Sequence, residues 1–403
     1  TATKYLHIDR RDTSSSTWTT SLYLDKSSKK KKEFRALQVA CGTKLHKIIK
    51  HGSTRWLSLQ NCIDRLIEQW EPLQKFFASE IGVVKEKYIA SKKHNRLRRI
   101  NEFFGTATSK LYCIFLVENL PIFLNANLML QQEAPQIHVM SKCLDNVITD
   151  LFVRYVRPKS ISDAKSIFDV KHEERCHQKN RDDLLISPNV RNCIDKMKAS
   201  GSLTKENENT IFADVRCFFS EASRYILGKF PLTDGLLENA KVLSVKDREK
   251  HSLVMMQYFV DKFPCLIQPT YKKQLELEFA KFQCHKDINM PQEILAETRV
   301  DKQWHMISKL TNADGQLMYQ HLSTVMKGIC TMPHSNADSE RIFSLVRKNN
   351  TVYSPTLSTE TLSALVVQKV YMISRGLVCH KAKFSQEQLT KAKSSYYSSL
   401  KNN

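Results

Sequence analysis

The apolar residues of this chain recur mostly three and four positions apart, which is the spacing of one face of an α-helix. Two stretches show the pattern most clearly: Leu59, Ile63, Leu66, Ile67, Trp70 and Leu73, and then Ile137, Met140, Leu144, Val147, Ile148, Leu151 and Tyr155. We expect Pro72 to kink or break the first helix, and Pro121 to interrupt the long apolar stretch 103–130. With only 10 glycines and 11 prolines in 403 residues, the sequence favours long helices over many tight turns. The predicted fold is mainly α.

Residues 157–209 depart from this pattern, because Lys, Arg, Asp, Glu and Ser are frequent there and apolar periodicity is weak. This composition predicts a long polar loop. Helical periodicity returns near Ile211 and continues through several shorter segments to Met332. The sequence shows no internal repeat of fixed period.

Near the C-terminal end of the chain, the pattern predicts a helical hairpin. Ser335 or Asn336 can cap a first helix that starts near Ala337, and Asn349 is expected to end it. Ser358 is expected to start the second helix, after a polar turn. The apolar positions of the two helices are Ile342, Phe343, Leu345, Val346, Leu362, Leu365, Val366 and Val370. Together they form a larger apolar surface than a short hairpin can bury by itself.

The first helix of this hairpin carries a specific pattern, Pro-x-Ser-x-Ala-x-x-Glu-Arg-x-Phe-Ser. Its fixed positions are Pro333, Ser335, Ala337, Glu340, Arg341, Phe343 and Ser344. The stretch resembles the C-terminal dimerisation region of hAT-family transposases and of host proteins derived from them. The resemblance implies a dimer interface that includes Phe343, Leu362, Leu365 and Val366. It also assigns Glu340 the role of the third metal-binding acid of an RNase H-like catalytic core.

A second match is Thr54-Arg55-Trp56, which resembles the motif at the entry to the all-helical insertion domain of hAT transposases. The resemblance implies that Trp56 stacks near a DNA end, and a flat ring beside the cation of Arg55 suits an unstacked base. The alternative for Trp56 is a buried core position at the start of a helix.

Four consecutive lysines, Lys29, Lys30, Lys31 and Lys32, come before these motifs. They fit either a nuclear localisation signal or a phosphate-contacting patch. The alternative is a solvated helix start, which is the usual role of a charge run.

The catalytic acids of the resembled enzyme are incomplete in this sequence. Two-metal strand cleavage needs several carboxylates that converge on the ions, and in the family two aspartates lie well upstream of Thr-Arg-Trp. Only 53 residues precede Thr54 here, and Asp9, Asp12 and Asp25 lack a surrounding strand pattern. We therefore expect no enzymatic activity, with Glu340 as a vestigial, helix-start carboxylate paired with Arg341 or another cation. Mg²⁺ is expected only if a longer product supplies the missing half, and the start at Thr1 suggests such a product.

The charge balance points to an anionic partner. With 62 Lys and Arg against 41 Asp and Glu, the formal net charge is +21, which suggests nucleic acid. Histone-like nonspecific association and weak binding to a membrane surface are the alternatives. No apolar run reaches the roughly 18 residues that a membrane span needs, and no secretory signal is visible.

The 11 cysteines are scattered and form no Cys-x-x-Cys pair. They predict reduced thiols in the nucleus or cytosol, and we expect the nucleus. His172, Cys176 and His177 lie close in sequence, but they lack the spacing of a zinc site, so no metal is predicted.

These observations divide the chain into four parts. Residues 1–53 form a basic segment with a remnant of an RNase H-like α/β core, 54–310 an all-helical insertion domain, 311–375 the dimerisation region and 376–403 a polar tail. Any sheet should be small, because the strands of the resembled core lie mostly upstream. The favoured function is a transposase-derived protein that dimerises and binds DNA without catalysing transposition. The alternatives are a non-catalytic protein-interaction module, or a fragment of an active transposase.

Overall fold

The computed structural model describes residues 24, 27–49, 57–82, 92–230, 234–350, 357–381 and 383–401. Helices dominate these ranges, and the described residues contain no strand, only two isolated bridges, Val156 with Gln178 and Thr311 with Leu317. The prediction of a mainly α fold is confirmed. The chain divides into two compact units, Thr1–His334 and Ser335–Asn403.

The first unit contains fifteen described α-helices. They are α1 Ser28–Ala40, α2 Leu57–Glu68, α3 Trp70–Gly82, α4 Lys92–Gly105, α5 Ala107–Leu130, α6 Ile137–Tyr155, α7 Pro158–Ser162, α8 Pro188–Ala199, α9 Lys205–Lys229, α10 Gly235–Asn239, α11 Leu253–Lys262, α12 Lys272–Cys284, α13 Gln292–Ala296, α14 Val300–Ile307 and α15 Gln320–Cys330. The second unit contains α16 Ala337–Asn349, α17 Thr359–Ser374 and α18 Gln386–Lys401. Short 3₁₀ turns connect many of these helices, including Arg175–His177.

Side-chain caps fix several helix starts. The hydroxyl of Ser27 accepts from the backbone N–H of Lys30 at the start of α1, and Ser187 and Thr204 do the same at α8 and α9. Such bonds satisfy backbone donors that have no partner within the helix. Because they join residues only three positions apart, they are visible in the sequence.

Two hydrophobic cores lie within the first unit. The first is built from residues between Leu24 and Ile226, and the second combines the start of α6 with residues between Leu237 and Cys330. Helix α6 belongs to both, because Ile137, Met140 and Leu144 lie in the second core and the rest of its buried face lies in the first.

The two prolines behave differently from each other. Helix α2 ends at Glu68 and α3 starts at Trp70, so the break expected near Pro72 is present. Pro121, in contrast, lies inside the continuous helix α5, and the expected interruption there was wrong. Burial of Leu111, Phe115, Leu116 and Leu120 against the first core outweighs the backbone hydrogen bond that a proline removes, which costs about 3 kcal/mol.

Residues 157–209 are not a long loop. They contain α7, α8 and the start of α9, joined by 3₁₀ turns. Val170, Leu184, Val190 and Ile194 are buried in the first core. These apolar residues are sparse and irregularly spaced, so each contributes to the core without producing a periodic pattern.

The boundary between the units also differs from the expected one. Helix α15, which was assigned to the dimerisation region at 311–375, packs on α12 and α14 and buries Leu322, Val325, Met326 and Ile329 in the second core. The second unit therefore begins at Ser335. The segment 376–403, expected to be a polar tail, contains the helix α18.

Helix α5 is 24 residues long and apolar enough to cross a membrane by length and composition, and no other described helix passes this test. The expectation that no apolar run is long enough for a span does not hold for this helix. The core helix of a soluble protein passes the same test. Between residues 111 and 130, eight residues are buried, Asn125 and Leu128 are exposed, and the other ten are half-buried.

Candidate self-association surface

The predicted helical hairpin is present in the second unit. Helix α16 spans Ala337–Asn349 and packs on α17, which spans Thr359–Ser374. Ser358 caps α17, since its hydroxyl accepts from the backbone N–H of Thr361 at 3.2 Å. Asn336 is the N-cap residue of α16, although the hydroxyl of Ser335 takes the backbone N–H of Ala337 at 3.3 Å. The connecting turn with Pro355 lies outside the described residues.

The hairpin buries little of its apolar surface. Ile342, Leu345 and Val346 of α16, and Leu362 and Val366 of α17, are half-buried where the helices meet. Phe343 is 61% exposed and Leu365 is 40% exposed. Among the described residues after His334, none is buried. This fits the expectation that the hairpin has more apolar surface than it can bury by itself.

The exposed apolar residues are concentrated in the second unit. Of the 22 large hydrophobic side chains that are exposed in the described ranges, 11 lie after His334. They are Phe343, Leu365, Val367, Val370, Tyr371, Ile373, Leu377, Val378, Phe384, Leu389 and Tyr397. This unit makes up only about one sixth of the chain, so these side chains form a concentrated apolar surface of the kind that marks an interaction site.

Helix α17 carries much of this surface. At 100° per residue, its exposed apolar residues are distributed around the axis, and the widest gap between them holds Thr361 and Gln368, with Arg375 just beyond the end of the helix. Apolar residues on most sides of a helix are normally covered by other protein. Leu362, Leu365, Val366 and Val370 were expected from the sequence, but Val367, Tyr371 and Ile373 were not. The sequence does contain a signal for these residues, because they are apolar and yet lie outside the one helix face that packs within a hairpin.

Glu340 lies in the first turn of α16, with its side chain exposed. Its backbone N–H donates to the carbonyl of Asn336 at 3.0 Å. Arg341 forms an ion pair with Asp338, one turn earlier, and the described residues show no ion pair of Glu340 itself. Among the described residues, Glu340 belongs to no group of three metal-ligating side chains. Asp9, Asp12 and Asp25 lie outside the described residues.

The predicted DNA-binding residues are described only in part. Lys29, Lys30, Lys31 and Lys32 lie in the first turns of α1, as a helix start would place them. Lys30 is half-buried and pairs with Glu80 of α3 at 2.5 Å, and Lys29 lies 3.9 Å from Glu33. Lys29, Lys31 and Lys32 are exposed. Arg55 and Trp56 lie outside the described residues.

One group of side chains has the composition of a metal site. The donor atoms of Glu174, Cys176 and His177 lie within 4.8 Å of one another, at or beside the 3₁₀ turn Arg175–His177. Cys176 and His177 belong to the group noted in the sequence, but Glu174 takes the place of His172. His172 is buried, and the hydroxyl of Tyr155 lies 2.8 Å from its Nδ1. Burial lowers the pKa of His172, and Glu173 opposes that effect. The three clustered ligands are mostly exposed, and the positive charge of the neighbouring Arg and Lys residues disfavours binding of a metal cation.

The cysteines give no sign of a disulfide framework, because the ten that the structure describes are all free. Burial raises the pKa of the Cys113 thiol to about 12, and burial and Asp301 do the same for Cys330. Thiols of this kind are inert.

The chain matches no protein-family model, no curated protein and no solved structure. The resemblance to hAT transposases therefore rests on the motif residues of this sequence.

Proposed function

We propose that this chain is a transposase-derived protein of the hAT type that self-associates through residues 335–403 and binds DNA without catalysing transposition. The observation that carries the proposal is the second unit, whose described residues include 11 exposed large apolar side chains and no buried residue. Isolated short helices are only marginally stable in water and gain most of their stability from packing, so we expect these helices to pack against a partner.

A second copy of the chain is the occupant that this surface favours. A two-fold interface uses the same patch on both subunits, so one apolar patch is sufficient to form it. The polar stripe of Thr361, Gln368 and Arg375 would face solvent in such a dimer. Helix α18, in which Leu389 and Tyr397 are exposed, is a further apolar segment of this unit that a second copy can cover.

The DNA-binding part of the proposal rests on charge. The net charge of +21 favours a polyanion, and the exposed lysines of α1 together with Arg55 and Trp56 are the proposed contacts. DNA binding implies a nuclear location. In this proposal Glu340 has a non-catalytic role, and the RNase H-like remnant lies in residues 1–53.

Two other functions compete with this proposal. A pure protein-interaction module would also expose an apolar surface, but its binding to DNA would show no steep salt dependence. A fragment of an active transposase would gain Mg²⁺-dependent cleavage only when a longer product restores the two upstream acids.

Self-association is tested with the full chain by light scattering after size-exclusion chromatography, over a range of concentrations. We expect a mass of about twice 46.7 kDa for the wild type. Leu365→Glu should shift the chain toward monomer, while Gln368→Glu adds the same charge on the polar stripe and should leave the dimer intact.

The size of the effect follows from Leu365, which is 40% exposed. Full burial of a leucine side chain gives about 1.5–3 kcal/mol, so covering the remaining 40% in both copies gives about 1–2.5 kcal/mol. The dissociation constant should therefore rise about five- to seventyfold. A monomeric wild type at every concentration, or a soluble dimer of unchanged affinity for Leu365→Glu, would show that this surface is not the interface.

A further inference from the structure

An arginine-rich cleft lies in the first unit, between α9 and the segment 175–181. Its volume is about 490 Å³. The charged side chains that line it are Arg175, Arg181, Arg216 and Glu221, and Phe212 and Ser220 contribute to its wall. Three guanidinium groups against one carboxylate give this cleft a net positive charge.

The carboxylates near the cleft already have basic partners. Buried Glu208 forms ion pairs with both Arg181 and Lys198. Burial raises the pKa of Glu208, but its bonds to Lys198 and Arg181 outweigh that effect and hold the pKa below its usual value. Glu221 pairs with Arg224. These carboxylates are therefore not free to neutralise the other arginines.

Arg175 and Arg216 have no carboxylate partner among the residues that the structure describes. Arg216 is half-buried on α9, and burial and the nearby charge of Arg175 lower its pKa to about 10. The guanidinium remains charged near neutral pH, so two cations that repel each other stay close without a counterion. Such an arrangement is costly unless an anion joins it.

Hydrogen bonds to uncharged groups hold both guanidinium groups in place. Nη1 of Arg216 donates to the carbonyl of Lys179 at 2.6 Å. Nη1 of Arg175 donates to Oε1 of Gln178 at 3.2 Å, and buried Gln178 is itself fixed by a bond from its Nε2 to the carbonyl of His172 at 2.9 Å. Each guanidinium keeps further N–H donors for a ligand.

Arg181 adds a third fixed cation. Its guanidinium lies 4.6 Å from the ring centroid of Phe212, and its Nη1 donates to Oδ1 of Asn209 at 2.5 Å. Its Nε is buried without a hydrogen-bond partner. A buried donor without an acceptor is unusual in a folded protein.

We propose that this cleft binds a phosphate group, with Arg175 and Arg216 as its direct donors and Arg181 as a positioning residue. The two unpaired guanidinium groups carry a charge of +2, which matches a dianionic phosphate, and planar guanidinium groups donate paired hydrogen bonds to phosphate oxygens. The phosphate comes from a nucleic-acid backbone or from a small phosphorylated molecule. This inference does not depend on self-association of the second unit.

The test is calorimetric titration of the full chain with inorganic phosphate and with pyrophosphate at constant ionic strength. Direct heats are needed, because phosphate also stabilises proteins by exclusion from their surface. We expect saturable binding with a dissociation constant in the millimolar range or tighter, at roughly one site per chain.

Arg175→Gln and Arg216→Gln should each weaken binding about tenfold or more, because each removes charge-assisted hydrogen bonds. Arg175 is exposed, so its replacement keeps the test valid if Arg216→Gln folds poorly. Lys229→Gln is the matched control: it removes one positive charge from the same helix, roughly 20 Å from Arg216 along the axis.

Titration of a labelled DNA duplex with the same variants identifies the source of the phosphate. If pyrophosphate competes with DNA and both arginine variants lose DNA affinity, the cleft binds the nucleic-acid backbone. If phosphate binding is lost but DNA affinity is unchanged, the cleft takes a small phosphorylated molecule. No saturable phosphate binding, or an equal loss with Lys229→Gln, would overturn the proposal.

Discussion

Glu278 provides a sharp test of how the second core is held together. Its side chain on α12 is only 3% exposed, and its Oε2 accepts the backbone N–H groups of His321 and Leu322, each at 2.8 Å. These donors lie in the first turn of α15, whose N-cap residue Tyr319 makes no side-chain cap. A carboxylate from another helix therefore replaces the usual local cap, at the positive end of the α15 dipole.

Glu278→Ala would remove both hydrogen bonds and leave the buried N–H of Leu322 without an acceptor. Each lost charge-assisted bond or unpaired buried group costs about 1–3 kcal/mol, so we expect the free energy of unfolding to fall by about 2–6 kcal/mol. Glu278→Gln keeps an acceptor oxygen and loses the charge, so the expected loss is smaller, about 1–2 kcal/mol.

Urea unfolding followed by circular dichroism and tryptophan fluorescence measures these differences. Fluorescence reports on the same core, because Trp304 is fully buried there and its Nε1 donates to the carbonyl of Leu243 at 2.9 Å. Gln274→Ala, an exposed change on the same helix, is the control and should cost little. A loss below about 0.5 kcal/mol for Glu278→Ala, or equal losses for Ala and Gln, would refute the remote-cap argument.

Two further predictions concern DNA binding and pH. Fluorescence anisotropy should show that the wild type binds a labelled DNA duplex, that its affinity falls steeply as salt rises, and that Trp56→Ala weakens this binding. If no binding is seen at low salt, self-association is the only part of the proposed function that stands. Burial lowers the pKa of His172, so the unfolded state takes up the proton of this side chain first as the pH falls below about 6.5. From there the free energy of unfolding should drop by up to about 1.4 kcal/mol per pH unit, until the pH reaches the lower pKa of the folded state. The free energy of unfolding, measured at pH 7.5 and 5.5, should change less for His172→Gln than for the wild type. Equal changes would contradict this assignment. Burial also lowers the pKa of His138 and His251, so both proteins keep part of the pH dependence.

The candidate surface was predicted in part from the sequence. Phe343, Leu365 and the hairpin itself were expected, because apolar spacing and turn residues are local signals. Val367 and Ile373 were missed, because a search for one apolar face assumes that the other faces are solvated. Their exposure became visible only when the structure showed how little of α17 the partner helix covers.

The sequence by itself determined the helical class, the start of α17 at the Ser358 cap and the end of α16 at Asn349. Each of these depends on residues within a few positions of one another, so spacing and side-chain type are sufficient. Tertiary structure decided the continuity of α5 through Pro121, the folding of residues 157–209 and the transfer of α15 to the first unit. It also decided the remote cap, since Glu278 and His321 are 43 positions apart. Such long-range contacts form when segments with weak local preferences bury a shared core. A local sequence pattern does not show which distant residues will contact each other.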